Sequence, residues 1–116
     1  MADLTIYEKP TCTTCRKLTA LLAEQGVEAE RIDFHVLGLT RDQLDEILAA
    51  TGLAPRELLR TREPQYAELG LADPAVSDAE IVEAMLAHPP LLQRPVVIRG
   101  DRGVLARPVE KVLELF

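Results

Sequence analysis

Apolar and polar positions alternate in two rhythms along the chain. Leu4-Thr5-Ile6-Tyr7 has the period of a strand, and the Lys9-Pro10-Thr11 turn after it leads into a helix opening near Cys12. Leu18, Leu21, Leu22 and Gln25 recur at i, i+3, i+4 and i+7, and Gly26 supplies a stop. Arg31-Ile32-Asp33-Phe34 alternates again, so a β-α-β unit is expected at the N-terminal end. From Thr40 to about His88 the spacing is helical. Leu44, Ile47 and Leu48 mark a helix ended near Gly52, Pro55 opens a short one through Leu58 and Leu59, and Ser77-Asp78-Ala79-Glu80 has the form of a capping box ahead of Ile81, Val82, Met85 and Leu86. His88-Pro89-Pro90 ends that helix. Val96-Val97-Ile98, a Gly100-Asp101-Arg102-Gly103 turn and Val104-Leu105-Ala106 predict a β-hairpin, and Pro108 starts a last helix with Val109, Val112, Leu113 and Phe116 on one face. The order β-α-β, helical insert at about 40–90, β-β-α predicts an α/β thioredoxin-like fold, one domain over 1–116.

Composition narrows the function classes. A 116-residue chain with 47% hydrophobic and 28% charged residues has the balance of a folded globular protein. The net charge of −6 argues against nucleic acid as a direct partner, since binding phosphates releases counterions only to a basic surface. With 3% aromatic residues a base-stacking platform is not expected either. No apolar run approaches a membrane span and no basic-then-apolar leader opens the sequence, which makes a cytoplasmic location the expectation.

The candidate chemistry lies in Cys12 and Cys15. A Cys-x-x-Cys pair is too close to staple a secreted fold and reads as a redox or metal site. Zinc needs two further ligands, and His35 and His88, 53 residues apart, lack the spacing of a finger. Cys12 is expected at a helix start, where unpaired N–H groups and the helix dipole stabilise a thiolate and the same amides hold an oxyanion. Cys15, one turn on, is either a resolving thiol within disulfide range or a small buried side chain. Arg60, Arg94 and Arg107 each sit at an element end, and the proline after Arg94 stands where thioredoxin-like folds set a proline facing the cysteine. Glu63 and Glu110 are placed to orient or neutralise neighbouring arginines. Asp42, Asp45 and Glu46 read as a solvated face.

Five separated motifs carry a family resemblance: Ile-Tyr-x-x-Pro-x-Cys-x-Thr at 6–14, Leu-Leu-Arg at 58–60, Tyr-x-x-Leu-Gly-Leu at 66–71, His-Pro-x-Leu-x-x-Arg-Pro at 88–95 and Arg-Pro-x-Glu at 107–110. Over essentially its full length the chain resembles the glutaredoxin-linked arsenate reductases of thioredoxin-like fold. That resemblance implies a nucleophilic Cys12, an oxyanion site of Arg60, Arg94 and Arg107, arsenate as substrate, no bound cofactor, and glutathione as reducing cosubstrate with glutaredoxin as partner. Two positions depart from it. Glu8 stands where relatives often have His, and its charge is expected to oppose a nearby thiolate. Cys15 stands where they commonly have Ser, and Cys-Thr-Thr-Cys-Arg-Lys is similar to Spx, a redox-sensing RNA polymerase regulator of the same fold, which is the alternative reading. A resolving Cys15 would make thioredoxin the expected donor.

Overall fold

The computed structural model describes residues 4–9 and 11–116, so Pro10 of the expected Lys9-Pro10-Thr11 turn lies outside the described residues. Strand β1 (Leu4–Glu8) runs into α1 (Thr13–Glu24), then β2 (Ala29–Asp33), α2 (Phe34–Leu37) and α3 (Arg41–Thr51). A 3₁₀ helix at Pro55–Leu58, α4 (Pro64–Glu68), α5 (Asp78–Ala87) and a 3₁₀ turn at Pro89–Leu91 follow. Strands β3 (Val96–Arg99) and β4 (Arg102–Leu105) and a 3₁₀ helix at Val109–Leu115 complete the chain. The sheet order is β2-β1-β3-β4, with β1 parallel to β2 and antiparallel to β3, and β3 antiparallel to β4. This is a thioredoxin-like fold.

Strand alternation divides the core into two. Tyr7, Val96 and Ile98 face the side covered by α3, α5 and the short helices, where Phe34, Leu44, Ile47, Leu58 and Met85 are buried. Leu4, Ile6 and Val97 face the other side, against Leu18 and Leu22 of α1 and Val109, Val112 and Leu115 of the last helix. Leu18 is fully buried in this second layer. Leu18→Ala is expected to cost about 2–5 kcal/mol, read as a lowered urea midpoint at unchanged slope.

Several local signals act as expected. Gly52 ends α3 in the left-handed region, φ 68°, which a side chain would strain. Ser77 accepts from the Glu80 N–H, but the Ser77 hydroxyl bonds the Glu80 carboxylate, so the reciprocal backbone half of that box is not made. The complete box is at Thr40 and Gln43, each side chain taking the other's backbone N–H.

Three expectations are corrected. Phe34 opens α2 instead of ending β2, because Asp33 takes the His35 N–H and turns the chain. A short helix over Pro64–Glu68 stands where none was expected. The last helix is 3₁₀ rather than α, so its buried stripe is Val109, Val112 and Leu115 at a spacing of three, while Leu113 and Phe116 are exposed.

The same pairing gathers the site. Register Tyr7↔Val96 sets Arg94-Pro95 beside the chain leaving β1 for Cys12. Val96↔Leu105 and the bond from the Ala106 N–H to the Pro95 carbonyl bring Arg107 alongside. An isolated bridge Leu59↔Leu92, with the Arg60 N–H donating to Leu91 and the Gln93 N–H to Leu58, both at 2.7 Å, adds Arg60.

Candidate active site

Cys12 occupies the N-cap of α1 with extended backbone, φ −72° and ψ 129°, and no acidic side chain lies in the first turn. Its carbonyl accepts the first helical bond, from the Arg16 N–H at 3.0 Å, so the dipole's positive end is left to the sulfur. Partial burial would push the Cys12 thiol up. The Cys15 N–H and thiol together with the Arg94 guanidinium outweigh it and bring Cys12 down to about 7. Burial drives Cys15 the other way, with the Cys12 and Glu8 charges adding to it against a backbone bond at Lys9, up to about 12. One sulfur is therefore a half-populated thiolate at neutral pH and the other a thiol. Alkylation of Cys12 by iodoacetamide is expected to rise about tenfold per pH unit below its pKa and to level off above about pH 7, with Cys15 unmodified throughout that range. Mass spectrometry of tryptic peptides checks both.

Arg94 is 5% exposed, and its Nε has no hydrogen-bond partner among the described residues. Its NH1 lies 3.3 Å from His35 Nε2 and 4.0 Å from a Glu63 oxygen. Arginine can only donate, so the imidazole nitrogen accepts. His35 stays below its ordinary pKa through burial and then the Arg94 and Lys9 charges, with Asp33 and Glu63 opposing, which keeps that acceptor neutral. Arg60 Nε donates to Glu63 Oε1 at 2.9 Å and its NH1 reaches Gln93 Oε1 at 3.4 Å. Arg107 NH1 donates to the Arg94 carbonyl at 2.7 Å. Glu63 thus ties Arg60 to Arg94, while Arg107 holds the main chain at Arg94 and also lines a separate open groove of about 290 Å³ with Leu53 and Lys111. Fixed guanidinium forks of this kind suit an oxyanion with several oxygens.

The sequence profile of the ArsC family matches residues 7–115. The chain belongs to the ArsC family. Its similarity to the arsenate reductase of Rhizobium meliloti is 38% identity over 113 residues, 97% of this chain and 81% of that protein. To the arsenate reductase of Escherichia coli K12 it is 37% over 116 residues, 100% of this chain and 82% of the other. Among solved structures, an arsenate reductase from Vibrio cholerae superposes with a TM-score of 0.93 at 33% identity, covering 100% of both chains.

Within this ArsC-family chain the charge of Glu8 bears on Cys15. The Glu8 carboxylate is buried and paired with Arg31 at 3.1 Å, its charge helps to hold the Cys15 thiol up, and Cys12 is nevertheless brought down. Arg60, Arg94 and Glu63 are brought into one network with Cys12, and Arg107 joins it through main chain. Glu110 is exposed and makes no hydrogen bond or ion pair with Arg107, whose NH1 goes to the Arg94 carbonyl instead. His35 and Gln93 contact the arginines without having been singled out for it. The one sequence hint for Gln93 is its place in Gln-Arg-Pro, and for His35 its place just beyond a strand end. His88 caps α5, its N–H donating to the Ala84 carbonyl. Among the described residues no cluster of His, Cys, Asp and Glu is arranged to hold a metal ion, and no helix is long and apolar enough to cross a membrane.

Proposed function

We propose that this chain is a cytoplasmic arsenate reductase. The Cys12 thiolate attacks the arsenic of arsenate, an As–OH bond breaks with release of water or hydroxide, and a Cys12–arsenate adduct remains. Arg60, Arg94 and Arg107 balance the oxyanion's charge, and Arg94 also acts on the Cys12 sulfur. The observation that carries this reading is Arg94: a buried guanidinium facing a thiolate, its Nε without a partner among the described residues, is costly to maintain unless an anion completes it. The names of the relatives point to the same substrate. Reducing equivalents come from a thiol donor, with glutathione and glutaredoxin as the family expectation and thioredoxin as the other candidate.

Purified protein supplied with arsenate, glutathione, glutaredoxin and an NADPH-coupled reductase is expected to consume NADPH only when arsenate is present. A parallel assay uses thioredoxin and its reductase. Absence of arsenate-dependent consumption with both donor systems would overturn the reading. The Spx-like alternative needs only the cysteine pair as a switch and leaves the buried Arg94 unexplained; redox-dependent capture of the polymerase α subunit is its distinguishing result.

The other two arginines carry a further expectation. Arg60→Ala and Arg107→Ala should keep the wild-type urea midpoint and lose about a hundredfold in kcat/KM for arsenate, the usual cost of one donor at a developing charge. An arginine whose loss leaves kcat/KM unchanged does not belong to the site.

A further inference from the structure

Glu8 and Cys15 meet in the structure. Leu4, Ile6 and Glu8 share one face of β1, the face packed by α1, so the Glu8 side chain is directed at the first turns of that helix. Glu8 is only 4% exposed and Cys15 1%. Both nevertheless line one open groove of about 450 Å³, together with Arg16, Thr19, Arg31 and Asp33. Arg31 crosses the groove, donating to Glu8 Oε1 at 3.1 Å and to Thr19 Oγ1 at 2.7 Å, and Thr19 donates to the Cys15 carbonyl at 3.1 Å. The carboxylate, the thiol's helical turn and the strand beside them are thereby held in one frame. Carboxylate and sulfur make no direct hydrogen bond, and the groove between them and solvent is large enough for water.

We propose that Glu8 is the proton acceptor for Cys15, acting through water in this groove, when Cys15 attacks a Cys12 adduct and closes the Cys12–Cys15 disulfide. The inference rests on the reading of Cys12 as the attacking thiolate. In the arsenate cycle the Cys15 sulfur attacks the Cys12 sulfur and an S–S bond forms. The S–As bond breaks with its electron pair going to arsenic, reducing As(V) to As(III) while the two sulfurs are jointly oxidised by two electrons. The Cys15 proton passes through water to Glu8, and from there to solvent. An external dithiol protein then reduces the disulfide, in place of glutathione attack on the adduct.

The requirement for an acceptor follows from Cys15 itself. Its thiol is held protonated at neutral pH, and a thiol is a poor nucleophile until its proton leaves. The charged groups facing it across the groove are Glu8, Arg16, Arg31 and Asp33, with the Cys12 thiolate on the other side. Of the two carboxylates, Glu8 is the one whose charge acts on the Cys15 thiol, while Asp33 takes the His35 N–H. Glu8 is held by a single guanidinium contact, and one oxygen remains for water. Proton transfer to a positioned base contributes about a hundredfold or more to such a step.

The test uses an aromatic nitrobenzoate disulfide as oxidant, so no arsenate enters. Reduced protein should release one coloured thiolate when Cys12 attacks and a second when Cys15 displaces it. Stopped-flow rates of the second release, from about pH 6 to pH 9, are compared for the wild type, Glu8→Gln and Cys15→Ser. Expected is an unchanged first amplitude in Glu8→Gln with a second phase slowed about a hundredfold near pH 7, converging on wild type as hydroxide takes over at high pH. Cys15→Ser should show the first phase alone. A wild-type second phase in Glu8→Gln, or no second release from the wild type, would overturn the proposal. Circular dichroism reports folding; if Glu8→Gln unfolds, Glu8→Asp decides instead, with a slowed second phase expected and an unchanged one fatal. Failure of arsenate turnover, by contrast, bears on the proposed substrate and leaves this readout intact.

Discussion

Cys12→Ser is expected to abolish arsenate-dependent NADPH consumption, with a loss of at least about four orders of magnitude, while the urea midpoint stays close to wild type. A serine hydroxyl at the same N-cap is a good helix cap but is not ionised near neutral pH, so the attacking thiolate that the Cys15 amide and Arg94 stabilise has no replacement. Removal of a nucleophile in other enzymes costs about a millionfold in kcat. Cys15→Ser separates the donor routes in the same assay. With Cys15 gone no internal disulfide can form, so turnover supported by thioredoxin should fall to background; residual turnover with glutathione and glutaredoxin measures the one-cysteine route. A Cys12→Ser protein that still consumes NADPH with arsenate would remove Cys12 from the chemistry.

What could be read from the residues was what local pattern determines. The β1-turn-α1 start, the stop at Gly52, the hairpin and the order of elements follow from alternation, helical spacing and turn residues. Where two periods compete the pattern misleads. Val109, Val112, Leu113 and Phe116 fit an α-helical face, yet Val109, Val112 and Leu115 at a spacing of three fit a 3₁₀ helix equally well, and packing under β1 and β3 selects the latter. Phe34 fits an alternating strand until the Asp33 carboxylate captures the next amide but one. Pro64–Glu68 is too short to show any periodic stripe.

The site shows the same division between local and distant causes. Cys12 at a helix start is a local feature, and Arg94 could be set near it because a proline beginning β3 has a known place in such a sheet. The contact between His35 and Arg94 joins residues 59 apart in sequence, and Gln93 reaches Arg60 across 33; no spacing rule reports either. The charge of Glu8 is unfavourable to a thiolate, as its sign implies, and the structure shows it acting on Cys15. Only the direction of the β1 side chains, with Glu8 on the α1 face, decides that it acts on Cys15.

Arg94→Ala is expected to be the most damaging arginine change, lowering kcat/KM for arsenate by about a hundred- to a thousandfold. Arg60 shares its charge with Glu63 at 2.9 Å and Arg107 spends a donor on main chain, whereas Arg94 keeps a buried Nε without a partner among the described residues and is the guanidinium that acts on the Cys12 sulfur. Two effects are therefore lost together, thiolate stabilisation and oxyanion binding, and they can be told apart. In Arg94→Ala the alkylation profile of Cys12 should move to higher pH, because a positive neighbour favours the deprotonated form and its removal raises the pKa from about 7 toward the ordinary thiol value. At pH well above that shifted value Cys12 is ionised in both proteins, so the loss that persists there measures oxyanion binding alone. Arg94→Lys keeps the charge but not the planar fork and cannot donate from two fixed edges to His35 and an oxyanion at once. Its alkylation profile should stay near wild type while arsenate turnover still falls by about tenfold or more. If Arg94→Lys instead restores turnover fully, charge alone suffices, and the clamp of His35 and Glu63 on NH1 has no part in catalysis.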